Sequence, residues 1–172
     1  MKNNLKNLFI KDENFFTIKP NPILIKKRGW YCRIYLEYHD AIESSFIAEA
    51  IRKIDDKSIE FYLASQNNED DITIVFTNED EVTLSYVHSF FSKSIDININ
   101  HAGFTNENLD YLYFKDAEND IFMLFGNESF LQDAMPVNFK VYKYYYESYY
   151  GNWESQAVNN LLKRLWNDYP KI

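Results

Sequence analysis

Hydrophobic positions recur along the chain with two periods. Ile95, Ile97 and Ile99 alternate with Asp96, Asn98 and Asn100, the mark of a strand with one buried face. Trp30 to Tyr38 is rich in aromatic and β-branched residues, and Arg33, Tyr35 and Glu37 alternate with its apolar positions. It too predicts a strand. Shorter apolar runs at Ser58 to Ala64, Ile72 to Thr77, Tyr111 to Phe114 and Ile121 to Phe125 predict four more, with polar connections between them. The connection Gln66-Asn67-Asn68-Glu69-Asp70-Asp71 reads as an exposed hairpin or loop.

The second period is helical. Ile42, Phe46, Ala50 and Ile54 recur at fourfold spacing, and Ile47 and Ile51 widen the stripe. Asp40, with Glu43 three residues on, suits a cap, so a helix is expected near Ala41 to Ile54, with two strands as the competitor. Val82, Tyr86 and Phe90, flanked by Val87 and Phe91, favour a helix from about Asp80 to Ser92 over a strand. The strongest series is Trp153, Ala157, Leu161 and Leu165, joined by Leu162 and Trp166. Asn152 is its expected cap and Pro170 its terminator. Short helices are expected around Leu5, Leu8 and Phe9, and after Gly126-Asn127 as far as Ala134. Pro20 and Pro22 impose extended or turn geometry between the first helix and the first strand.

Val137 to Tyr150 fits both periods. Phe139, Val141, Lys143 and Tyr145 alternate, while Tyr142, Tyr146 and Tyr150 have helical spacing, and Gly151 closes the segment. Together these patterns predict a single α+β domain over residues 1–172: a largely antiparallel sheet, several flanking helices and a C-terminal helix.

Composition narrows the picture. The chain has 172 residues, 46% of them hydrophobic, enough to build a core without disulfide or metal staples. The single cysteine, Cys32, excludes an intramolecular disulfide and reads as a buried thiol. The basic N-terminus is interrupted by Lys11, Asp12 and Glu13 and has no leader-like apolar segment. No stretch is long and apolar enough to predict a membrane span. A cytoplasmic location is the expectation.

Net charge is −8, which disfavours general affinity for nucleic acid or anionic membrane. Its distribution says more. Between Asp40 and Asp120 stand 18 acidic and 5 basic side chains, a net of −13, and the flanks carry +5. Such a field steers a cationic partner if folding gathers the carboxylates on one face.

Candidate chemistry is sparse. His39, His88 and His101 have no metal-ligand spacing. His39 beside Asp40 is either a histidine–carboxylate pair or a turn leading into a cap, and His101 is expected in the loop before Gly103. Glu69, Asp70 and Asp71 precede the strand at Ile72, and Glu79, Asp80 and Glu81 follow it. Neither run has the glycine of a calcium loop. Both read as a solvated hairpin rim or as a face for a basic protein, extended by Asp55, Asp56, Asp116, Glu118 and Asp120 if topology allows. Lys26-Lys27-Arg28 near Trp30 and Tyr31 is too small a patch for a nucleic-acid assignment. Tyr144-Tyr145-Tyr146 and Tyr149-Tyr150 cannot all enter one core from one regular element, so part of this set is expected either to be exposed, as an interaction surface, or to pack where two elements cross.

The leading expectation is therefore an intracellular binding protein, without cofactor, that occludes a basic toxin or enzyme domain such as a nuclease. Its contact residues are Glu69, Asp70, Asp71, Glu79, Asp80, Glu81, Tyr145, Tyr149 and Trp153. In size, acidity and α+β pattern the whole chain resembles bacterial toxin-immunity proteins of the contact-dependent inhibition type. That resemblance implies neutralisation of a cognate toxin in the producing cell, and it transfers no particular residue. The alternatives are a small metal-dependent hydrolase or nuclease, and a scaffold that self-associates, for instance as a homodimer, through Tyr146, Tyr150 and Trp153.

Overall fold

A computed structural model describes residues 5–12, 18–36, 41–54, 59–66, 72–79, 101–116, 121–152 and 155–172. Within these, Tyr111–Lys115 and Phe122–Gly126 form two strands buried at every position, as does His101–Thr105. Unbroken apolar runs of this kind belong in the middle of a sheet covered on both faces.

In chain order the strands are β1 (Phe9–Lys11), β2 (Ile18–Pro20), β3 (Tyr31–Tyr35), β4 (Ile59–Gln66), β5 (Ile72–Glu79), β6 (His101–Thr105), β7 (Tyr111–Lys115) and β8 (Phe122–Gly126). The helices are α1 (Pro22–Lys27), α2 (Ala41–Ile54), α3 (Glu128–Ala134), α4 (Phe139–Asn152) and α5 (Gln156–Asp168). β1 and β2 make a small two-stranded sheet, and the rest form one sheet in the order β3-β8-β7-β6-β4-β5. Every described pairing is antiparallel, so the α+β expectation holds.

Strand alternation sorts the central side chains between two cores. Tyr111, Tyr113, Phe122 and Leu124 meet Ile47 and Ile51 of α2 and Phe130 and Leu131 of α3. Leu112, Phe114, Met123 and Phe125 face the other way, onto Leu161, Leu162 and Leu165 of α5 and onto Phe9 and Ile18 of the small sheet. A part-buried charge group fastens that small sheet to α5. Lys19 Nζ lies 3.2 Å from Asp12 and 3.0 Å from Asp168, and Arg164 pairs with the same two carboxylates.

Gly103 is required by a crossing. The Tyr62 hydroxyl of β4 donates to the Tyr113 carbonyl of β7 at 2.7 Å, passing over β6. A Cβ on Gly103 would stand 1.9 Å from that carbonyl oxygen and 2.3 Å from the Tyr62 hydroxyl. Only glycine leaves the passage open.

Several sequence expectations change in detail. Leu5 and Lys6 are helical, but Phe9 already begins β1, because its ring packs into the core beside Tyr62 and Phe114. Pro22 starts α1, at the position where its missing N–H costs nothing. In α2 the inward stripe is Ile47, Ala48, Ala50 and Ile51, and Ile42 is 64% exposed. The small residues Ala48 and Ala50 give this buried stripe a low profile. Asn127 caps α3, its side chain accepting from the Phe130 N–H at 2.9 Å. Asn152 is the last residue of α4 and Ser155 stands at the N-cap of α5, since α4 continues through Gly151 rather than closing there. Asp40 and the segments predicted at Asp80 to Ser92 and Ile95 to Ile99 lie outside the described residues.

β3 is a sheet edge, and two of its outward N–H groups are occupied. The Cys32 N–H donates to the Pro170 carbonyl at 2.8 Å, and the Ile34 N–H donates to the Tyr142 hydroxyl at 2.8 Å. The C-terminal tail and α4 thus stand where another strand would pair.

Candidate functional site: a tyrosine-lined groove

The ambiguous segment Val137 to Tyr150 resolves as helix, with Asn138 accepting from the Lys140 N–H at 2.8 Å at its start. Both of its periodic readings have a physical origin, because α4 is apolar on two sides. One side holds Phe139, Tyr142 and Tyr146 against Trp166 of α5, with Tyr146 closest at 4.7 Å between ring centres. The Tyr146 hydroxyl donates to the Leu162 carbonyl at 2.7 Å. Elsewhere around the helix Val141, Tyr144 and Tyr145 reach solvent, with Tyr144 69% and Tyr145 60% exposed.

Between α4, the end of β3 and the start of α2 lies a groove of about 440 Å³. Its tyrosines are Tyr35 from β3 and Tyr142, Tyr145, Tyr146 and Tyr149 from α4. Ile34, Leu36, Met135 and Val137 supply aliphatic wall, and Glu43 of α2 is its one carboxylate among the described residues. Such a mixture, apolar with a few polar groups converging, is the usual make-up of a binding cleft.

Electrostatics set the character of the walls. Burial raises the Tyr35 hydroxyl above the ordinary tyrosine range; the Glu43 carboxylate adds to this and Arg33 opposes it. Burial likewise holds the Tyr142 hydroxyl well above its usual value. Both therefore remain protonated near neutrality. Arg33 is only 2% exposed and sits behind this wall. Its guanidinium lies 4.4 Å from the centre of the Tyr142 ring and donates through Nη2 to the Val137 carbonyl at 3.3 Å. Its Nε and Nη1 find no hydrogen-bond partner among the described residues. Burial pulls the guanidinium below its ordinary pKa, yet arginine remains charged at neutral pH. A buried cation held mainly by an aromatic face is costly, and here it joins β3 to the start of α4.

Of the sequence-predicted contact residues, Tyr145 and Tyr149 come together on this groove. Glu79 is the last residue of β5, on the edge strand opposite Ile59. Glu69, Asp70, Asp71, Asp80, Glu81 and Trp153 lie outside the described residues, as do His39, His88, Asp55, Asp56, Glu118 and Asp120. Two expectations are corrected. His101 opens β6 instead of lying in a loop, and Asp116 is buried rather than part of an acidic surface. They form a pair at 3.1 Å with the imidazole stacked on Phe114, an arrangement that suits the interior of a sheet. Tyr146, whose exposure would favour the self-associating alternative, is buried.

Arg28 stacks on Trp30 at 4.9 Å and donates to the Leu109 carbonyl, so one member of the basic triplet is spent within the fold. Cys32 is buried, which pushes its thiol up to about 12.

Tyr35, Glu43, Arg33 and Tyr142 escaped the sequence reading as site residues. Tyr35 and Arg33 were legible as strand positions and Glu43 as a capping partner. Nothing local announced that α4 would lie along the edge of β3 and bring them together. Among the described residues no helix is long and apolar enough to cross a membrane, and no group of three side chains is placed to hold a metal ion. Comparison with protein-family models, curated proteins and solved structures finds no match to the chain.

Proposed function

We propose that this chain is an inhibitory protein-binding module of the immunity type, acting in the cytoplasm of the producing cell against a basic toxin or enzyme domain, a nuclease being the most natural target. The observation that carries the reading is the grouping of Tyr145 and Tyr149 with Glu43 on one groove, beside the solvent-facing Tyr144. Tyrosine offers a broad rigid face with a polar edge at low entropic cost, the usual anchor of a protein contact. A chain of net charge −8 attracts a basic partner over long range and excludes acidic ones. Inhibition then needs no chemistry from this chain: covering the partner's phosphate-binding face suffices.

The test is capture of a partner from the source cell, followed by titration of that partner's activity. Stoichiometric loss of activity is expected. A captured protein whose activity is untouched, or no capture at any salt concentration, sinks the proposal. Charge reversal at Glu69, Asp70 and Asp71 should slow association and flatten its salt dependence if those residues steer the encounter.

A further inference from the structure

We propose that the outer face of α4 pairs with the same face of a second copy of this chain, the two helices lying antiparallel across a two-fold axis near Tyr144. This goes beyond the inhibitor reading and does not depend on it, because Tyr145 and Tyr149 stay on the groove of each copy.

The face follows from the helical turn. At about 100° per residue, Tyr144 points away from Tyr142 and Tyr146, which are both buried. Lys140 and Glu147 lie on one flank of Tyr144, and Val141 and Ser148 on the other. Lys140, Val141 and Glu147 are exposed and Ser148 is half-buried. The Tyr144 ring meets Tyr145 edge-on, 6.0 Å between ring centres. The Ser148 hydroxyl is engaged within the helix, donating to the Tyr145 carbonyl at 2.7 Å.

Charge chooses the occupant and its direction. The members of each flanking pair are seven residues apart, about 10 Å along the axis, with Tyr144 near the midpoint. An antiparallel copy related by a two-fold axis therefore sets Lys140 against Glu147 of that copy, and Glu147 against its Lys140. Val141 and Ser148 exchange in the same way on the other flank, and the two Tyr144 rings meet near the axis. A parallel copy would bring Lys140 opposite Val141 and leave both charges unmatched.

The chain leaves both charges available. Lys140 has no ion pair of its own among the described residues. It stands in the first turn of α4, where the helix field disfavours a cation and no acidic residue offsets it. Glu147 meets Lys143 of its own helix at 3.6 Å through Oε1, with both side chains nearly half exposed. Such a surface contact is weak, and Oε2 is left for a second cation. Repulsion between two chains of net charge −8 is small at this face. The acidic excess falls between Asp40 and Asp120, whereas α4 brings Lys140 and Lys143 against Glu147. Salt screens the more distant charges beyond about 8 Å at physiological strength. So short a stretch of helix buries less than the roughly 800 Å² per partner of a tight complex. The dimer is accordingly weak, with dissociation expected at about 100 µM.

Sedimentation velocity of the full chain, from about 10 µM to about 1 mM, brackets that value and should show a monomer passing into a dimer. Lys140→Glu and Glu147→Lys each turn both cross-contacts repulsive, and each should weaken dimerisation about tenfold. An equimolar mixture of the two single variants restores both contacts and should associate as wild type does. The double variant carrying both changes should do the same on its own. A chain that stays monomeric over the whole range overturns the proposal. So do single variants that dimerise like wild type, and so do a mixture and a double variant that associate no better than the single changes. Recovery in the mixture and in the double variant supports it, since a loss of folding in either single variant would not be mended by reversing the second charge.

Discussion

Replacing Gly103 by alanine should be among the most damaging single-methyl changes this sheet can receive. In an unstrained strand position the substitution would stabilise by about 0.5–1 kcal/mol, because alanine loses less backbone entropy on folding. Here the new Cβ falls 1.9 Å from the Tyr113 carbonyl oxygen and 2.3 Å from the Tyr62 hydroxyl. The hydroxyl can move only by giving up its 2.7 Å hydrogen bond in the buried interior. The carbonyl can move only with the backbone of β7. Overpacking costs about 1–3 kcal/mol, and leaving a buried donor and acceptor unmatched adds about 1–3 kcal/mol. Less that entropy gain, the net loss is about 1–5 kcal/mol, a large share of the roughly 5–15 kcal/mol that holds a domain folded. Urea denaturation of wild type, Gly103→Ala, Tyr62→Phe and the double variant measures it. Tyr62→Phe alone should cost about 1–2 kcal/mol. The double variant should be less destabilised than the two single losses added together, since both abolish the same hydrogen bond. A Gly103→Ala variant within about 0.5 kcal/mol of wild type, the scale of a neutral surface change, would refute the reasoning, as would strict additivity.

Other consequences are equally direct. Tyr142→Phe removes the acceptor of the Ile34 N–H at the edge of β3. It should cost about 1–3 kcal/mol and raise the tendency to aggregate, measured by denaturation and light scattering; an unchanged midpoint would show that the hydroxyl does not guard that edge. Burial lowers the Lys171 ammonium to about 8, against the Asp168 charge that opposes the shift. Between pH 8 and the ordinary lysine value near 10.5 the unfolded chain holds this proton and the folded chain does not, so folding stability from this group rises with pH. Wild type should gain on Lys171→Met over that window, and parallel pH profiles would count against it. With its thiol raised to about 12, Cys32 should resist iodoacetamide at pH 8 in the native state and react fully in urea. Rapid native labelling would contradict its burial.

The sheet was readable in the sequence wherever a strand had its own signature. Tyr111 to Phe114 and Ile121 to Phe125 are apolar without interruption and became β7 and β8, the buried middle. The terminal helix was equally plain from Leu161, Leu162 and Leu165, because a helix packed on one side writes a single stripe. Val137 to Tyr150 resisted because α4 writes two stripes, one for Trp166 and one for solvent, and superposed stripes imitate alternation. Tyr145 and Tyr149 were identifiable as surplus to any one core. Glu43, which lines the same groove, was not, since about a hundred residues separate it from them and only the tertiary path of α4 closes that distance. His101 and Asp116 show the opposite limit: polar residues beside turns read as surface, and their mutual pairing is what allows both inside.

The two-sidedness of α4 separates two kinds of structural constraint. Positions 139, 142 and 146 answer to Trp166 and to the backbone of β3, so drift there is penalised by misfolding. Positions 141, 144 and 145 face solvent and carry no such packing constraint from Trp166. The exposed side of this single helix can therefore be substituted a residue at a time while the other side keeps the protein folded throughout.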